Sequence, residues 1–196
     1  MYTKLPHLTL GFHGCSAEIC QKVLKENEVL KASTNRYDWL GNGIYFWENS
    51  YVRALEWAKE KYESDGIEYD VIGAVIDLGY CLNLSDSQFN SILKTGYNVL
   101  VSRLGDADLP RNHRKKGNDI LLRDLDCAVI QQIHEYNEGS DENSFDSVRG
   151  LFIEGEPIYA GSCFVSKSHI QLCIRNPNCI KGYFAPLAAD ENYLMP

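Results

Sequence analysis

Residues 37–48 read YDWLGNGIYFWE and carry the strongest structural signal in the chain. Gly41 and Gly43 tolerate a positive φ or a close backbone approach, so they predict a tight turn. The residues that follow are β-branched or aromatic, which favours a short strand. Side chains alternate along a strand, so Tyr45 and Trp47 are expected on one face and their apolar neighbours on the other. The stretch is interpreted either as a hairpin with core aromatics or as an aromatic platform that the glycines leave accessible.

The composition predicts a folded domain without a membrane segment. The chain has 196 residues, of which 44% are hydrophobic and 23% are charged, which fits a single domain over residues 1–196. No apolar run approaches about 18 residues. The first residues lack a signal-peptide pattern, so we expect a cytoplasmic location and no membrane contact. The seven cysteines show no C-x-x-C pair, which predicts free thiols in a reducing compartment and no metal site.

The charge pattern combines an acidic chain with one basic cluster. The net charge of -8 argues against a general nucleic-acid coat, which would need to neutralise phosphates. The stretch from Arg111 to Lys116 nevertheless holds four of the 19 Lys and Arg residues, in a loop bounded by Pro110 and Gly117. This basic loop is interpreted either as a solvated loop or as a contact surface for cofactor phosphates or RNA.

Apolar spacing predicts four helices. The first begins after Ser16 and runs towards Lys31, and the second begins after Ser50 with its Lys and Arg side chains facing out. The third begins near Asp86, and the fourth spans residues 120–134.

Strands are expected at both ends of the chain, which predicts the α+β fold class. Alternating or continuous apolar runs mark residues 8–14, 71–78 and 168–175, and one further strand is expected within residues 145–159. Residues 179–184 form either a last short strand or an extended tail. Neither GxGxxG nor GxxxxGK[ST] occurs, so no doubly wound nucleotide-binding fold is indicated.

Polar residues near strand ends are the candidate functional residues. His13 precedes Gly14 at the end of the first strand, where functional side chains often emerge, although the pattern alone favours a hydrogen-bonded core histidine. His169 and Gln171 share one face of the late strand. Burying both without partners would be costly.

Three motifs in this order resemble the poly(ADP-ribose) polymerase-like, or diphtheria-toxin-type, ADP-ribosyltransferases. They are GFHG at residues 11–14, GNGIYF at residues 41–46 followed by the Ala54 helix, and the late strand with Gln171. The family carries His-Gly on its first strand, Gly-x-Gly-Ile-Tyr-Phe in its second block, and a third polar residue, usually Glu, at the start of a late strand.

The resemblance spans roughly residues 9–62 and 150–184, whereas residues 80–145 match no general family pattern. It implies an ADP-ribosyltransferase-like split β-sheet with flanking helices, and NAD as the substrate from which nicotinamide is released.

The resemblance also implies a role for each matched residue. His13 would hydrogen-bond ribose hydroxyls, and the backbone of Gly14 would hold the nicotinamide carboxamide. Tyr45 would stack on the nicotinamide ring, and Trp57 would supply a second face. Gln171 would reach the nicotinamide ribose. No metal takes part in this scheme.

The third motif departs from the family. Its Glu is replaced by Gln171 or displaced to Glu154 or Glu156, which are otherwise turn and surface charges. A neutral amide stabilises an oxocarbenium-like transition state less than a carboxylate would, by roughly 1 kcal/mol or more. Transfer of a single ADP-ribose unit is therefore expected, rather than chain elongation.

The expected function is that of an NAD-dependent mono-ADP-ribosyltransferase that modifies an intracellular macromolecule, either protein or nucleic acid. The sequence resembles small stand-alone toxins or phage-defence effectors, which leaves open whether an antitoxin or inhibitor protein binds it. The alternative is a catalytically weak module that binds NAD or ADP-ribose and acts through a partner. An RNA 2′-phosphotransferase would call for a more basic chain. Alanine at His13 or Tyr45 is expected to remove most activity while leaving the fold intact.

Overall fold

The structure is a computed structural model that describes residues 8–113, 122–140, 142–188 and 192. The described residues form four α-helices and nine strands. In chain order they are β1 Thr9–Ser16, α1 Ala17–Lys25, β2 Ile44–Glu48, α2 Tyr51–Tyr62, β3 Tyr69–Ile76, β4 Cys81–Asn83, α3 Asn90–Leu104, β5 Asn112–His113, β6 Leu122–Arg123, α4 Asp124–Glu138, β7 Ser147–Phe152, β8 His169–Ile174 and β9 Ile180–Phe184.

Seven strands form one sheet in the order β4-β7-β8-β2-β1-β3-β9. The neighbours β4 and β7 run parallel, and the other paired neighbours with a register in this sheet run antiparallel. The short strands β5 and β6 form a separate hairpin. A mostly antiparallel sheet with flanking helices is the predicted α+β class.

Helices cover both faces of this sheet. On one face, Cys20 and Val23 of α1 pack against the central strands. On the other face, α2 packs over β1 and β3, while α3 and α4 pack over β7 and β8. Strand β2 contributes to both faces as predicted, because Ile44 and Phe46 lie in the core beneath α1, and Tyr45 packs on the opposite side.

The glycine turn before β2 is also present as predicted. Gly41 has a φ of 79°, and a Cβ placed there would lie 2.7 Å from Oε1 of Gln131. The same Oε1 accepts a hydrogen bond from the backbone N–H of Asn42 at 3.0 Å. The turn is therefore held against α4 by a side chain 89 residues further along the chain.

Two predicted helix boundaries are wrong. Helix α1 ends at Lys25 rather than continuing towards Lys31, because Asn27 adopts a left-handed conformation with a φ of 57°. Helix α4 starts at Asp124 rather than residue 120 and runs on to Glu138. The side chain of Asn112 fixes this start, since its Oδ1 accepts from the first N–H groups of the helix, those of residues 125 and 126.

Strand β4 was not predicted, and its position depends on a distant carboxylate. Asp146 accepts hydrogen bonds from the backbone N–H of Tyr80 at 2.8 Å and from the side chain of Asn176 at 2.7 Å. These contacts connect the start of β4 with the start of β7 and the end of β8. Three residues are too few to show a strand period, so the sequence pattern gives no signal for this strand.

The cysteines are free thiols, as expected. Six of the seven are buried, and Cys163 is exposed. The sulfur atoms of Cys15 and Cys20 lie 3.3 Å apart. Across the described residues there is no group of three or more His, Cys, Asp or Glu side chains that could hold a metal ion. In the same part of the chain, none of the helices combines the length and the apolar character that crossing a bilayer requires.

His134 is a buried histidine whose two ring nitrogens have no hydrogen-bond partner among the described residues. It lies against Phe145, and burial together with the nearby charge of Arg175 lowers its pKa to about 3. The imidazole of His134 therefore binds a proton far less readily in the folded chain than in the unfolded chain. The free energy of unfolding is greatest above the usual pKa of 6.5 and falls as the pH drops from there towards 3.

Replacing His134 with Phe is expected to make the protein less sensitive to acid. The proton taken up by His134 on unfolding costs about 2 kcal/mol of stability between pH 7 and pH 5, at about 1.4 kcal/mol per pH unit. The variant should not lose this stability between pH 7 and pH 5, because a Phe side chain cannot bind a proton. Urea denaturation at both pH values measures it, and an unchanged pH dependence in the variant would contradict the account.

Candidate functional site

The sheet opens between β1 and β2 at the position of the predicted site. The register of these strands comprises the pairs Gly11 with Glu48 and Phe12 with Trp47. Beyond these pairs β1 continues against β3 as far as Ser16, while β2 continues against β8. The end of β1 and the start of β2 therefore diverge and leave a gap in the hydrogen-bonded ladder.

His13 lies at the point of divergence. Its Nδ1 lies 2.7 Å from the carbonyl oxygen of Tyr45, and its ring contacts Phe46 at a centroid distance of 5.8 Å. Because a carbonyl only accepts, Nδ1 carries the proton and Nε2 presents a lone pair. Burial lowers the pKa of this imidazole, so it is neutral at pH 7. His13 is thus a fixed hydrogen-bond acceptor on the edge of the gap.

Tyr45 lies beside His13, but its hydroxyl is engaged by the glycine turn. It donates to the carbonyl of Gly41 at 2.7 Å and accepts from the N–H of Leu40 at 2.9 Å. Burial raises the pKa of the phenol well above its usual value. The Tyr45 ring lies on the face of β2 opposite to Phe46. The His13 ring contacts Phe46, so the rings of His13 and Tyr45 lie on opposite sides of the sheet. Tyr45→Ala is now expected to disturb the turn as well as the site.

Gly14 is required by the approach of α2. A Cβ at this position would lie 2.3 Å from the backbone oxygen of Ala54 and 3.0 Å from the Cβ of Ala58. This contact explains the small-residue helix that follows β2, because only small side chains let its backbone come so close. The same contact covers Gly14 on that face of the sheet.

Gln171 and Trp57 lie further along the Tyr45 face. Gln171 pairs with Trp47 across β2 and β8, and it is half-buried. Trp57 contacts Trp47 at a centroid distance of 5.5 Å, and the Lys61 ammonium lies 4.6 Å from the Trp57 ring centre. The structure thus brings His13 to the backbone of Tyr45, whereas Gln171 and Trp57 both gather around Trp47.

The two alternative carboxylates lie on the segment between β7 and β8. The carbonyl of Glu154 accepts from the N–H of Lys167, and that of Glu156 accepts from Ser166. Glu154 is half-buried and lies next to the start of β8, whereas Glu156 is exposed and further out. Of the two, Glu154 therefore lies closer along the chain pairing to the start of β8.

The first residue of the basic loop, Arg111, directly precedes β5, which pairs with β6. Arg111 is exposed, while Arg114, Lys115 and Lys116 lie outside the described residues. At the base of the hairpin, the guanidinium of Arg123 lies 4.3 Å from the ring centre of Trp39. Trp39 belongs to the turn that precedes β2. The described end of β6 therefore contacts the turn that precedes β2.

Sequence reasoning missed Arg53, which was expected to face solvent. Its side chain is only 11% exposed, and its Nε has no hydrogen-bond partner. Two further buried polar atoms nearby lack a partner: Nε1 of Trp47 and Nε2 of His169. The shared face of His169 and Gln171 on β8 was the signal in the sequence that pointed towards this cluster.

Comparisons with known proteins add one distant relative. An uncharacterized protein of Methanocaldococcus jannaschii, MJ0359, is 26% identical in an alignment of 190 positions that covers 87% of this chain and 83% of that protein. No family model matches the chain, and none of the solved structures matches it. The similarity extends along most of both chains, and the relative's name indicates no function.

Proposed function

We propose that this protein is an NAD-dependent mono-ADP-ribosyltransferase built on an ADP-ribosyltransferase-like split sheet. The observation that carries the proposal is the His13 side chain, which spans the divergence of β1 and β2 and bonds to the Tyr45 carbonyl at 2.7 Å. The His-Gly and Gly-x-Gly-Ile-Tyr-Phe motifs, which lie apart in sequence, meet at this point. NAD lies at this opening in the proposed complex.

Each matched residue has a chemical task in the proposed reaction. Nε2 of His13 accepts a hydrogen bond from a ribose hydroxyl, and the ring of Tyr45 stabilises the nicotinamide by stacking. The side-chain oxygen of Gln171 accepts from the 2-hydroxyl of the nicotinamide ribose. The bond from ribose to nicotinamide breaks with oxocarbenium character, and a nucleophile of the acceptor then attacks the same carbon. Neutral nicotinamide leaves with the bonding electron pair.

Nicotinamide release is the direct test of this function. The pure protein is incubated with NAD and cell extract, and free nicotinamide is followed by chromatography. Mass spectrometry of proteins and nucleic acids from the same mixture then identifies the molecules that gain one ADP-ribose unit. Absence of both nicotinamide release and adduct in every extract would refute the transferase.

A binding module is the second candidate, and Gln171 is the observation that favours it. Its amide carries no charge to stabilise the oxocarbenium ion, and the charged Glu154 lies on the neighbouring segment rather than on β8. Such a protein would hold NAD or ADP-ribose and act through a partner. Measurable NAD binding without nicotinamide release distinguishes the module from the enzyme.

The basic loop gives a prediction about the acceptor. If the acceptor is a nucleic acid, replacing Arg111, Arg114 and Lys115 with Ala is expected to reduce its modification about tenfold or more, because each lost cation weakens phosphate binding. Hydrolysis of NAD in the absence of acceptor should be unchanged. Equal loss of both activities, measured side by side, would contradict a nucleic-acid contact in this loop.

The proposal includes a cellular setting. We place the reaction in the cytoplasm, where NAD and the macromolecular acceptors occur, and we assign the protein to the toxin or phage-defence kind. An antitoxin or inhibitor protein is then the partner class to search for by co-purification. No metal is assigned a part in the chemistry.

A further inference from the structure

Two buried cysteines contact each other where β1 ends and α1 begins. The sulfur atoms of Cys15 and Cys20 lie 3.3 Å apart, and the two residues are 1% and 3% exposed. All seven cysteines lie in the described part of the chain, and no other two of them share a hydrogen bond there. The contact is therefore specific to this pair.

The capping of α1 explains why these two side chains meet. Ser16 is the N-cap of the helix, and its hydroxyl accepts from the N–H of Ile19 at 3.4 Å. Cys15 directly precedes the cap, and Cys20 is the fourth residue of the helix. Apolar side chains at these two positions often pack together as a hydrophobic staple, which fixes the angle at which the chain enters the helix. Here both positions hold thiols, and we call Cys15 and Cys20 the cysteine staple.

The two thiols differ in how readily they ionise. The hydrogen bond from the Cys15 thiol lowers the pKa of Cys20, although burial and the charge of Asp70 act against this effect. The same hydrogen bond and burial raise the pKa of Cys15. Oxidants react with the thiolate form. Cys20 is therefore the nucleophile of the pair, and Cys15 holds its proton in reserve.

A cavity adjoins the first turn of α1, to which the staple belongs. It has a volume of about 540 Å³ and lies between Ser16, Ile19 and Gln21 on one side and Tyr62 and Glu68 on the other. Helix ends open locally at little cost in free energy. A small uncharged oxidant can therefore reach the sulfur atoms from this cavity while the sheet stays folded.

We propose that the cysteine staple is an oxidation site, at which a hydroperoxide forms an intramolecular disulfide between Cys15 and Cys20. The bond joins α1 covalently to β1, the strand that carries His13. Disulfides in a reducing compartment are usually transient and often sense the redox state. The staple accordingly serves as a reversible redox-dependent tether, and this inference does not depend on the proposed transferase.

The reaction balances in two steps. The Cys20 thiolate attacks one oxygen of hydrogen peroxide, the O–O bond breaks, and the departing hydroxide takes up a proton to form water. The Cys15 sulfur then attacks the sulfenic acid on Cys20, the S–O bond breaks, and the Cys15 proton leaves in a second water molecule. The sulfur atoms approach by about 1.2 Å to reach the disulfide length of about 2.05 Å. Two thiols are oxidised, and one peroxide is reduced.

The test locates the bond by proteolysis of the unmodified chain. The reduced protein is treated with hydrogen peroxide, and its remaining thiols are blocked with N-ethylmaleimide in denaturant. Protease Glu-C then cuts after Glu18, which lies between the two cysteines of the staple. The fragments that carry Cys15 and Cys20 stay joined to each other only when a disulfide links them. Mass spectrometry detects the joined fragments and counts the maleimide groups.

We expect Cys15 and Cys20 to be linked at least about tenfold more often than any other cysteine pair, because only their sulfur atoms are already in contact. The four other buried cysteines should keep their maleimide groups, and dithiothreitol should restore the staple thiols. Exposed Cys163 reports that the oxidant was active. If Cys163 is oxidised while Cys15 and Cys20 still carry maleimide, or if either is linked to another cysteine, the proposal is overturned.

Three variants test the order of the two steps. Cys15→Ala should leave Cys20 as a sulfenic acid that dimedone traps, whereas Cys20→Ala should give no adduct on Cys15. Cys163→Ala is the matched control and should form the disulfide within about twofold of the rate of the unmodified chain. Thermal melting confirms the fold of each variant. A dimedone adduct on Cys15 in Cys20→Ala would overturn the assigned order.

The disulfide should also restrain the start of the helix. Amide hydrogen exchange across α1 is expected to slow about tenfold in the oxidised chain, below the typical effect of a disulfide because the loop it closes is short. Dithiothreitol should return the exchange rates to those of the reduced chain. Equal exchange in the two states would overturn the tether.

Discussion

His13→Asn is expected to lower nicotinamide release from NAD by on the order of 100-fold while the fold is retained. Such a loss is typical when one preorganised hydrogen-bonding group is removed from a reacting site. The shorter amide can still donate to the Tyr45 carbonyl, which His13 contacts at 2.7 Å, but it has no counterpart of Nε2. The substitution therefore removes the atom assigned to the ribose and keeps the structural bond. Initial rates at saturating NAD measure the effect.

His13→Ala provides the comparison. It removes both ring nitrogens, so it should lose the same activity and in addition about 1 kcal/mol of stability from the missing bond to Tyr45. His134→Phe serves as the control histidine and should release nicotinamide at the rate of the unmodified chain. If His13→Asn retains full activity, His13 has a structural role only, and the site must be sought elsewhere.

The sequence predicted those parts of the fold that depend on neighbouring residues. The two glycines and the aromatic run fix both the turn and the alternation of β2, since both are set within a few residues. In the same way Ser16 marks the start of α1, where it accepts from the N–H of Ile19 at 3.4 Å. Local capping and periodicity are visible in a single sequence.

The parts that were not predicted depend on distant residues. The divergence of β1 from β2 is a property of strand pairing, and no residue of either strand encodes it alone. The amphipathic pattern of its helix predicts that Arg53 faces solvent, yet its side chain is only 11% exposed. That burial follows from the packing of α2 over β1, β2 and β3, which no pattern within the helix itself encodes.

The candidate site shows the same division. The motifs predicted that the side chains of His13 and Tyr45 line one site; in the structure His13 bonds to the Tyr45 carbonyl, while the two rings lie on opposite sides of the sheet. The motifs could not show that the Tyr45 hydroxyl is engaged by Gly41 or that Trp57 faces Trp47 rather than Tyr45. A sequence motif indicates which residues come together, whereas the direction of each side chain depends on the register of strands that the motif does not contain.

Gly14→Ala is expected to lower the free energy of unfolding by about 3 kcal/mol, at the upper end of the cost of overpacking a core. The added methyl group would lie 2.3 Å from the backbone oxygen of Ala54, and a backbone atom cannot rotate away as a side chain can. Helix α2 must therefore shift as a whole. Gly182→Ala is the matched control on β9, since a Cβ there meets nothing within 4 Å, and its stability should stay within about 1 kcal/mol of the unmodified chain.

A second substitution distinguishes packing on the helix backbone from packing on its side chains. Adding Ala58→Gly to Gly14→Ala removes the methyl group 3.0 Å away but leaves the Ala54 oxygen in place, so stability should not recover. Recovery would mean that the side chain of Ala58, not the helix backbone, sets the distance between α2 and β1. A stable Gly14→Ala variant that no longer binds NAD would instead support the expected contact between the Gly14 backbone and the carboxamide. Denaturant titration and NAD calorimetry on the same samples therefore decide whether this glycine serves the helix or the ligand.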